Sequence, residues 1–271
     1  MLLTRRTRWF LIAATALTLS FIYIPLIVVI INSFNPARGF SWPPASFSTV
    51  WWHKAAQNTG VRSAFLTSIK AGLGATLIAL VLGSMIAFAV SRYRFFGRDV
   101  VSFLFILPIA LPGIITGVAL NSSFSVVLPH LGISFGLFTV VLGHATFCIV
   151  VVFNNVVARL RRTAISLEEA SADLGAHTWQ TFRLVTVPQL RSAIVAGALL
   201  AFALSFDEVI VTTFTAGDQE TLPIWILNNL SRPRNLPIVN VVGICVILLS
   251  MVPVYFAHRL TEDPVASAGG R

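Results

Sequence analysis

Six apolar runs alternate with short polar segments along this chain, at 9–31, 66–91, 100–120, 137–158, 192–214 and 238–257. The first is uncharged throughout. At 1.5 Å per helical residue it is roughly 34 Å long, enough to cross the ~30 Å hydrocarbon core of a bilayer. The second is uncharged after Lys70, which lies near enough to the end to snorkel. The pattern predicts an all-α polytopic membrane protein with six transmembrane helices, organised as a single transmembrane domain over 1–271 without internal repeats. Ala14-Thr15-Ala16 only faintly resembles a cleavage site, so the first run is expected to act as an uncleaved signal anchor.

The connecting segments differ in character. Asn32–Arg62 is rich in Pro, Ser and Trp, with Trp42, Trp51 and Trp52 placed for a membrane interface and a short surface helix expected near Ser46–Trp52. Arg92 to Arg98 makes a tight basic turn. Residues 121–136 form a loop without Asp, Glu, Lys or Arg, and polar residues dominate 215–237. Within the third run, Pro108 and Pro112 stand four apart and Gly113 and Gly117 form a GxxxG pair. That combination predicts a kinked helix open to close contact, either a gate-like bend or a packing kink.

Charge then orients the chain. Of its 19 Lys and Arg, 13 fall in 1–8, 92–98, 158–191 and 258–271, and 6 in 33–70, 121–136 and 215–238. The positive-inside rule therefore puts both termini and the segment 159–190 in the cytoplasm.

Composition removes other classes. A chain that is 56% hydrophobic and 11% charged, with mean hydropathy +0.85, is too apolar for a soluble domain. The net charge of +9 comes from short arginine clusters beside apolar runs, not from the aromatic-interleaved stripe that binds nucleic acid. Cys148 and Cys245 both sit in apolar runs, which implies no disulfide framework. The five histidines are scattered without metal-ligand spacing, and His144 reads as a hydrogen-bonded packing residue. Neither Lys54 nor Lys70 follows a glycine, so this chain supplies no Walker A loop. Any ATP hydrolysis must come from another polypeptide.

The polar passage Ser166–Leu190 stands out between two apolar runs. Ser166 and Glu169 have the spacing of a capping box, and Gly175 can take the left-handed conformation that closes a two-turn helix. Thr178 can cap a second short helix, Trp179–Val185, and Pro188 forbids its simple continuation while suiting the first turn of whatever comes next. A helix this short, rich in Ala and Ser, is not stable alone and must be held by something else. Its small side chains, with Glu169 and Asp173 on one face, suit the groove of a partner protein; the alternative is an ordinary amphipathic loop between two membrane spans.

Glu169-Ala170-Ser171, three residues, Gly175, nine residues, then Val185-Thr186-Val187-Pro188 resembles the EAA motif of permease subunits of bacterial ABC importers. The departures from E-A-A…G…I-x-L-P are Ser171, Val185 and Val187. The resemblance implies a coupling helix docking on an ATP-hydrolysing subunit through Glu169, Ala170, Ser171, Asp173, Gly175 and Pro188.

In the fifth run, Asp207 and Glu208 would cost roughly 2.5–3.5 kcal/mol each at mid-membrane without compensation, which marks them for function. On a continuous helix, Ser205, Glu208, Thr212 and Thr215 form a polar stripe, so Glu208 and Thr212 are expected to line a path. Asp207 is expected to turn to a neighbouring helix or a partner permease. The alternative is a pair of carboxylates satisfied by Arg or backbone inside the bundle.

Leu107–Pro112, Gly143–Cys148 and Leu204–Val211 extend the resemblance, across nearly the whole chain, to the second permease of spermidine/putrescine-type importers. It implies a type I importer permease, not itself an enzyme, paired with a second homologous permease, two ATP-binding subunits and an extracytoplasmic substrate-binding protein. No cofactor is expected on this chain; ATP and Mg belong to the ATPase. Importers of 4-aminobutyrate, ferric iron or sulfate are alternatives within the class. A secondary transporter driven by an ion gradient through Glu208 lies outside it. No nucleophile–base pair or metal cluster supports a membrane enzyme.

Overall fold

The computed structural model of the chain describes residues 4–37 and 43–261, excluding the side chains at 106, 108–110, 253, 254 and 257–261. Trp42, the tail beyond 261 and the side chain of Pro108 therefore lie outside the described residues. Every regular element among the described residues is helical.

Two compact units emerge: Met1–Arg62 with Trp225–Leu248, and Ser63–Ile224 with Leu249–Arg271. The first contains α1 (Arg5–Ser33) and α2 (Val50–Gln57), together with most of α11 (Leu222–Leu230) and the first half of α12 (Leu236–Thr261). The interfacial helix thus starts later than the expected Ser46–Trp52. Trp52 stacks on Phe34 at 5.4 Å, Trp51 Nε1 donates to the Pro36 carbonyl at 3.3 Å, and Lys54 lies 4.3 Å above the Trp51 ring.

The second unit is built on α3 (Thr59–Arg92), α6 (Leu137–Arg162) and α9 (Val187–Phe206). Along α3 burial is inverted relative to a soluble core, while α6 and α9 bury large side chains such as Phe153, Leu160 and Leu190. Ala71, Ala75, Ala79, Gly83 and Ala87 recur every four residues along α3 and are buried, while Leu66, Leu73, Leu77 and Met85 face outward. Lipid tails are as apolar as leucine, so burying a leucine gains little, whereas small residues let backbones approach and gain dispersion. Gly83 shows how closely: a Cβ there would stand 2.9 Å from the Ile149 carbonyl oxygen of α6.

Five described helical stretches are long and apolar enough to span a bilayer: Arg5–Ser33, Thr59–Arg92, Gly113–Leu131, Leu137–Arg162 and Thr178–Phe206. In α12, 26 residues long, the stretch Leu236–Val252 is apolar up to the first side chain outside the description. Two expected continuous spans are instead broken. The third divides into α4 (Arg98–Ala110) and α5 (Gly113–Val127), separated by Leu111 and Pro112 in extended backbone. Pro112 has no N–H to continue the α4 ladder, but it suits the start of α5, where its carbonyl accepts the amides of Ile115 and Thr116. With a 3-10 turn at Leu128–Leu131, α5 also fills much of the stretch expected as a loop from 121, since Val126, Val127 and Leu128 continue its apolar run. The fifth span stops at Phe206 and resumes as α10 (Ile210–Thr215), so the expected helix over 192–214 is interrupted at Asp207, Glu208 and Val209.

Candidate functional site

At the break in the fifth span, the carboxylate of Glu208 reaches forward along the chain and accepts the Val211 amide at 2.9 Å, satisfying an amide freed at the start of α10. Asp207 is the C-terminal cap residue of α9 and is exposed. The polar-stripe geometry therefore does not apply as expected, because no continuous helix joins Ser205 to Thr212. These two hydroxyls nevertheless meet through His144 of α6. Its Nδ1 lies 2.7 Å from Ser205 Oγ and its Nε2 lies 2.8 Å from Thr212 Oγ1. Thr212 donates its single hydroxyl proton to the Glu208 carbonyl at 2.7 Å, so it must accept from Nε2–H, and the Ser205 hydroxyl donates to Nδ1.

One buried imidazole thus bridges the two halves of a broken span and fixes the backbone of Glu208. Thr212 is 0% exposed and serves this clamp, not a path surface. Replacing His144 by Leu leaves the Ser205 hydroxyl buried without its partner and takes the ring N–H from Thr212, which keeps only its bond to the Glu208 carbonyl, an expected loss of about 1–3 kcal/mol read as a lower melting temperature of the purified protein. His144→Gln, which keeps a donor and an acceptor, is expected to lose less.

The two breaks adjoin. Glu208, Thr116, Phe147, Leu111 and Gly113 share a recess of about 380 Å³ with Leu204 and Val211. Ile210 of α10 sits 3.5 Å from where a Cβ on Gly113 would be, and Asn121 Nδ2 donates to the Phe214 carbonyl at 2.6 Å, so α5 and α10 pack as a pair. The Thr116 hydroxyl is buried without a hydrogen-bond partner among the described residues. Irregular backbone at membrane depth is tolerated where it lines a cavity, and both broken segments do so here. Pro112 belongs to this site by making the first break.

The second candidate region is α7 (Ser166–Asp173) with its successors. Gly175 has φ +82°, Ala176 N donates to Ser171 O at 3.1 Å and Gly175 N donates to Ala172 O at 2.8 Å, the paired bonds of a Schellman stop. Ser166 is not the cap: the helix is preceded by Ile165, and no side chain caps its amides. Nor does Thr178 cap α8 (Thr178–Thr181). His177 precedes it, and its backbone N–H is taken by Gln180 at 2.8 Å.

Beyond α8 there is no break before Pro188, which stands in the first turn of the next helix as expected. The chain continues through a π turn, Phe182–Thr186, straight into α9. Pro188 has no N–H for the Leu184 carbonyl, and the wider π turn absorbs that lost bond. Glu169, Ala170 and Asp173 are exposed on α7, while Ser171 Oγ is bonded to Thr181 Oγ1 at 3.0 Å. Around them Leu174, Trp179 and Leu184 are exposed, Leu174 by 90%.

Sequence reasoning missed Arg92, Glu168 and Thr186, which join three elements beneath this region, and Thr116 and Phe147 in the recess. Of these only Glu168 carried a local signal, an acidic residue in the first turn of a helix.

The family model of the binding-protein-dependent transport system inner membrane component matches residues 79–263. The chain belongs to this family. As a member it is a multi-pass permease of the inner membrane, and both candidate regions fall inside the matched residues. It is similar to the spermidine/putrescine transport system permease protein PotC of Haemophilus influenzae, 34% identical over 245 residues covering 90% of this chain and 93% of the relative. It is also similar to the putrescine transport system permease protein PotI of Escherichia coli K12, 32% identical over 221 residues covering 80% of this chain and 78% of the relative. In fold it resembles a chain of a bacterial ABC transporter involved in the import of the acidic polysaccharide alginate. That match has a TM-score of 0.69 at 18% identity, covering 97% of this chain and 99% of the other.

Proposed function

We propose that this chain is one of two permease subunits of an ATP-driven importer of polyamines of the spermidine/putrescine class. The observation that carries the cargo class is the recess between the two broken spans, where Glu208 presents a carboxylate beside a buried unpartnered hydroxyl, Thr116, and an aromatic ring, Phe147. A carboxylate, a hydroxyl and a ring face together suit a primary ammonium group, which brings three N–H donors and a charge. The likeness to PotC and PotI points the same way.

On this reading, α7 docks on an ATP-binding subunit, with Glu169, Ala170, Ser171, Asp173, Gly175 and Pro188 forming or shaping the contact. The exposed Leu174, Trp179 and Leu184 beside them are apolar side chains on a cytoplasmic segment, where a partner surface would cover them. ATP and Mg are held by that subunit, a substrate-binding protein delivers cargo from outside, and both termini face the cytoplasm. Asp207, exposed at the end of α9, faces the second permease.

Reconstituting the complex in proteoliposomes tests the proposal. Labelled spermidine or putrescine is expected to enter only with ATP, the binding protein and both permeases present, and vanadate is expected to stop it. Uptake that persists without ATP and follows an imposed ion gradient would sink the reading.

A further inference from the structure

Beneath the coupling region, one carboxylate oxygen gathers three elements. Glu168 Oε1 accepts from Arg92 Nη2 at 2.8 Å and Arg92 Nε at 3.1 Å, and the Thr186 hydroxyl lies 3.4 Å from it and 3.4 Å from the Thr181 carbonyl, sharing one proton between the two. Arg92 is the last residue of α3, Glu168 lies in the first turn of α7, and Thr186 ends the π turn leading into α9. The ion-paired side chains are only 13% and 21% exposed, and Thr186 is buried. The same residues line a recess of about 300 Å³ with Phe88 and Phe182, whose rings stand 5.4 Å apart and give α3 a second hold on the π turn.

A two-turn helix without buried residues cannot fix its own orientation. Its position relative to the spans is set by the few polar bonds that reach it. Ser171–Thr181 ties α7 to α8, and Glu168 ties it to the base of α3 and the entry of α9. Glu168 also sits where the helix dipole favours negative charge, so the pair is placed to hold while α7 is pulled or pushed.

We propose that the Arg92–Glu168–Thr186 clasp is the strut that converts displacement of α7 into movement of α3 and α9, making Arg92 and Glu168 positioning residues for coupled transport. This rests on the ATP-driven reading above. The clasp is distinct from the exposed docking face: Glu168 points into the chain, while Glu169 beside it faces out. Cutting the clasp is expected to leave the ATPase bound and hydrolysing but to lose transport per ATP.

The test measures uptake per ATP hydrolysed in the reconstituted complex, with labelled spermidine delivered by the binding protein. Glu168→Gln and Arg92→Gln are each expected to lower that ratio about tenfold while ATPase subunits still co-purify in wild-type amounts. The exchanged pair, Arg92→Glu with Glu168→Arg, is expected to recover well above either single variant. Should a single variant fail to assemble, Thr186→Val keeps the Arg92–Glu168 pair, removes the third arm together with the bond to the Thr181 carbonyl, and is expected to lower the ratio less, with the complex intact.

A wild-type ratio in intact Glu168→Gln, Arg92→Gln or Thr186→Val complexes overturns the proposal. So does an exchanged pair no better than the singles. A wild-type complex that imports without hydrolysing ATP instead removes the reading on which the clasp rests, a result seen before any variant is made.

Discussion

Glu208→Gln is expected to lower polyamine uptake by tenfold or more while the permease folds and assembles normally. The substitution separates charge from structure. Glu208 Oε1 accepts the Val211 amide at 2.9 Å, and glutamine keeps an Oε1 able to do the same, so the start of α10 stays capped. What disappears is a negative charge facing a recess into which a di- or tricationic cargo would come. At ~4 Å and an effective dielectric of about 20, such a pair attracts by about 4 kcal/mol before desolvation is counted. Each 1.4 kcal/mol surviving in the rate-limiting step is worth about a factor of ten.

The control is Glu208→Ala, which loses both charge and cap and is expected to reduce the amount of assembled protein as well. Asp207→Asn is expected to change uptake less, because Asp207 lies outside the recess residues. The sign also discriminates between cargoes: for an anion such as sulfate, removing the carboxylate would raise uptake or leave it unchanged. Wild-type polyamine uptake by Glu208→Gln would remove Glu208 from the path.

How much of this was legible in the sequence depended on the range of the interactions. Helices set by local apolar runs were readable, although their ends were placed too far inward. Arg5, Arg92 and Arg162 look like the outsides of spans, yet all three are helical, because a helix continues into the headgroup layer as long as its side chains can snorkel. The break at Pro112 carried its own chemical signal, a residue that removes a donor. The break at Asp207-Glu208 carried none of that kind: no Pro or Gly is present, and a helix-face argument assumed the continuity that fails there.

What decides that second break is tertiary. His144 holds Ser205, 61 residues away, and Thr212, 68 residues away, and no periodicity in the sequence relates them. Glu168 was overlooked for the same reason, since its partner Arg92 is 76 residues distant while its neighbour Glu169 carries the recognisable motif. The first short helix of the coupling segment and its stop at Gly175 were readable, whereas the second is no separate helix, since α8 runs through the π turn into α9. The caps were not readable, because a matching sequence spacing does not ensure that the side chain turns to the amide.

Gly175→Val is expected to abolish coupled uptake, through backbone strain and not through crowding. Nothing lies within 4 Å of where a Cβ on Gly175 would sit, so a larger side chain meets open space. The cost comes from φ +82°, which an L-residue pays at about 1–2 kcal/mol, and more for a β-branched side chain. That sum falls on a helix of 8 residues that is marginal by itself, so a penalty easily absorbed in the middle of α6 is enough to unwind the end of α7. Losing the Schellman stop frees the carbonyls of Ser171 and Ala172 and redirects Leu174, which projects from the last turn.

Three substitutions make the cause identifiable. Asn tolerates the left-handed region, so Gly175→Asn is expected to keep most activity, Gly175→Ala to lose more and Gly175→Val most, in uptake and in the amount of ATPase that co-purifies. A steric cause would instead order them by side-chain volume, making Asn worse than Ala. The reversal of Asn and Ala is thus the result that ties docking to one backbone angle, and wild-type behaviour of Gly175→Val would show that α7 needs no such stop.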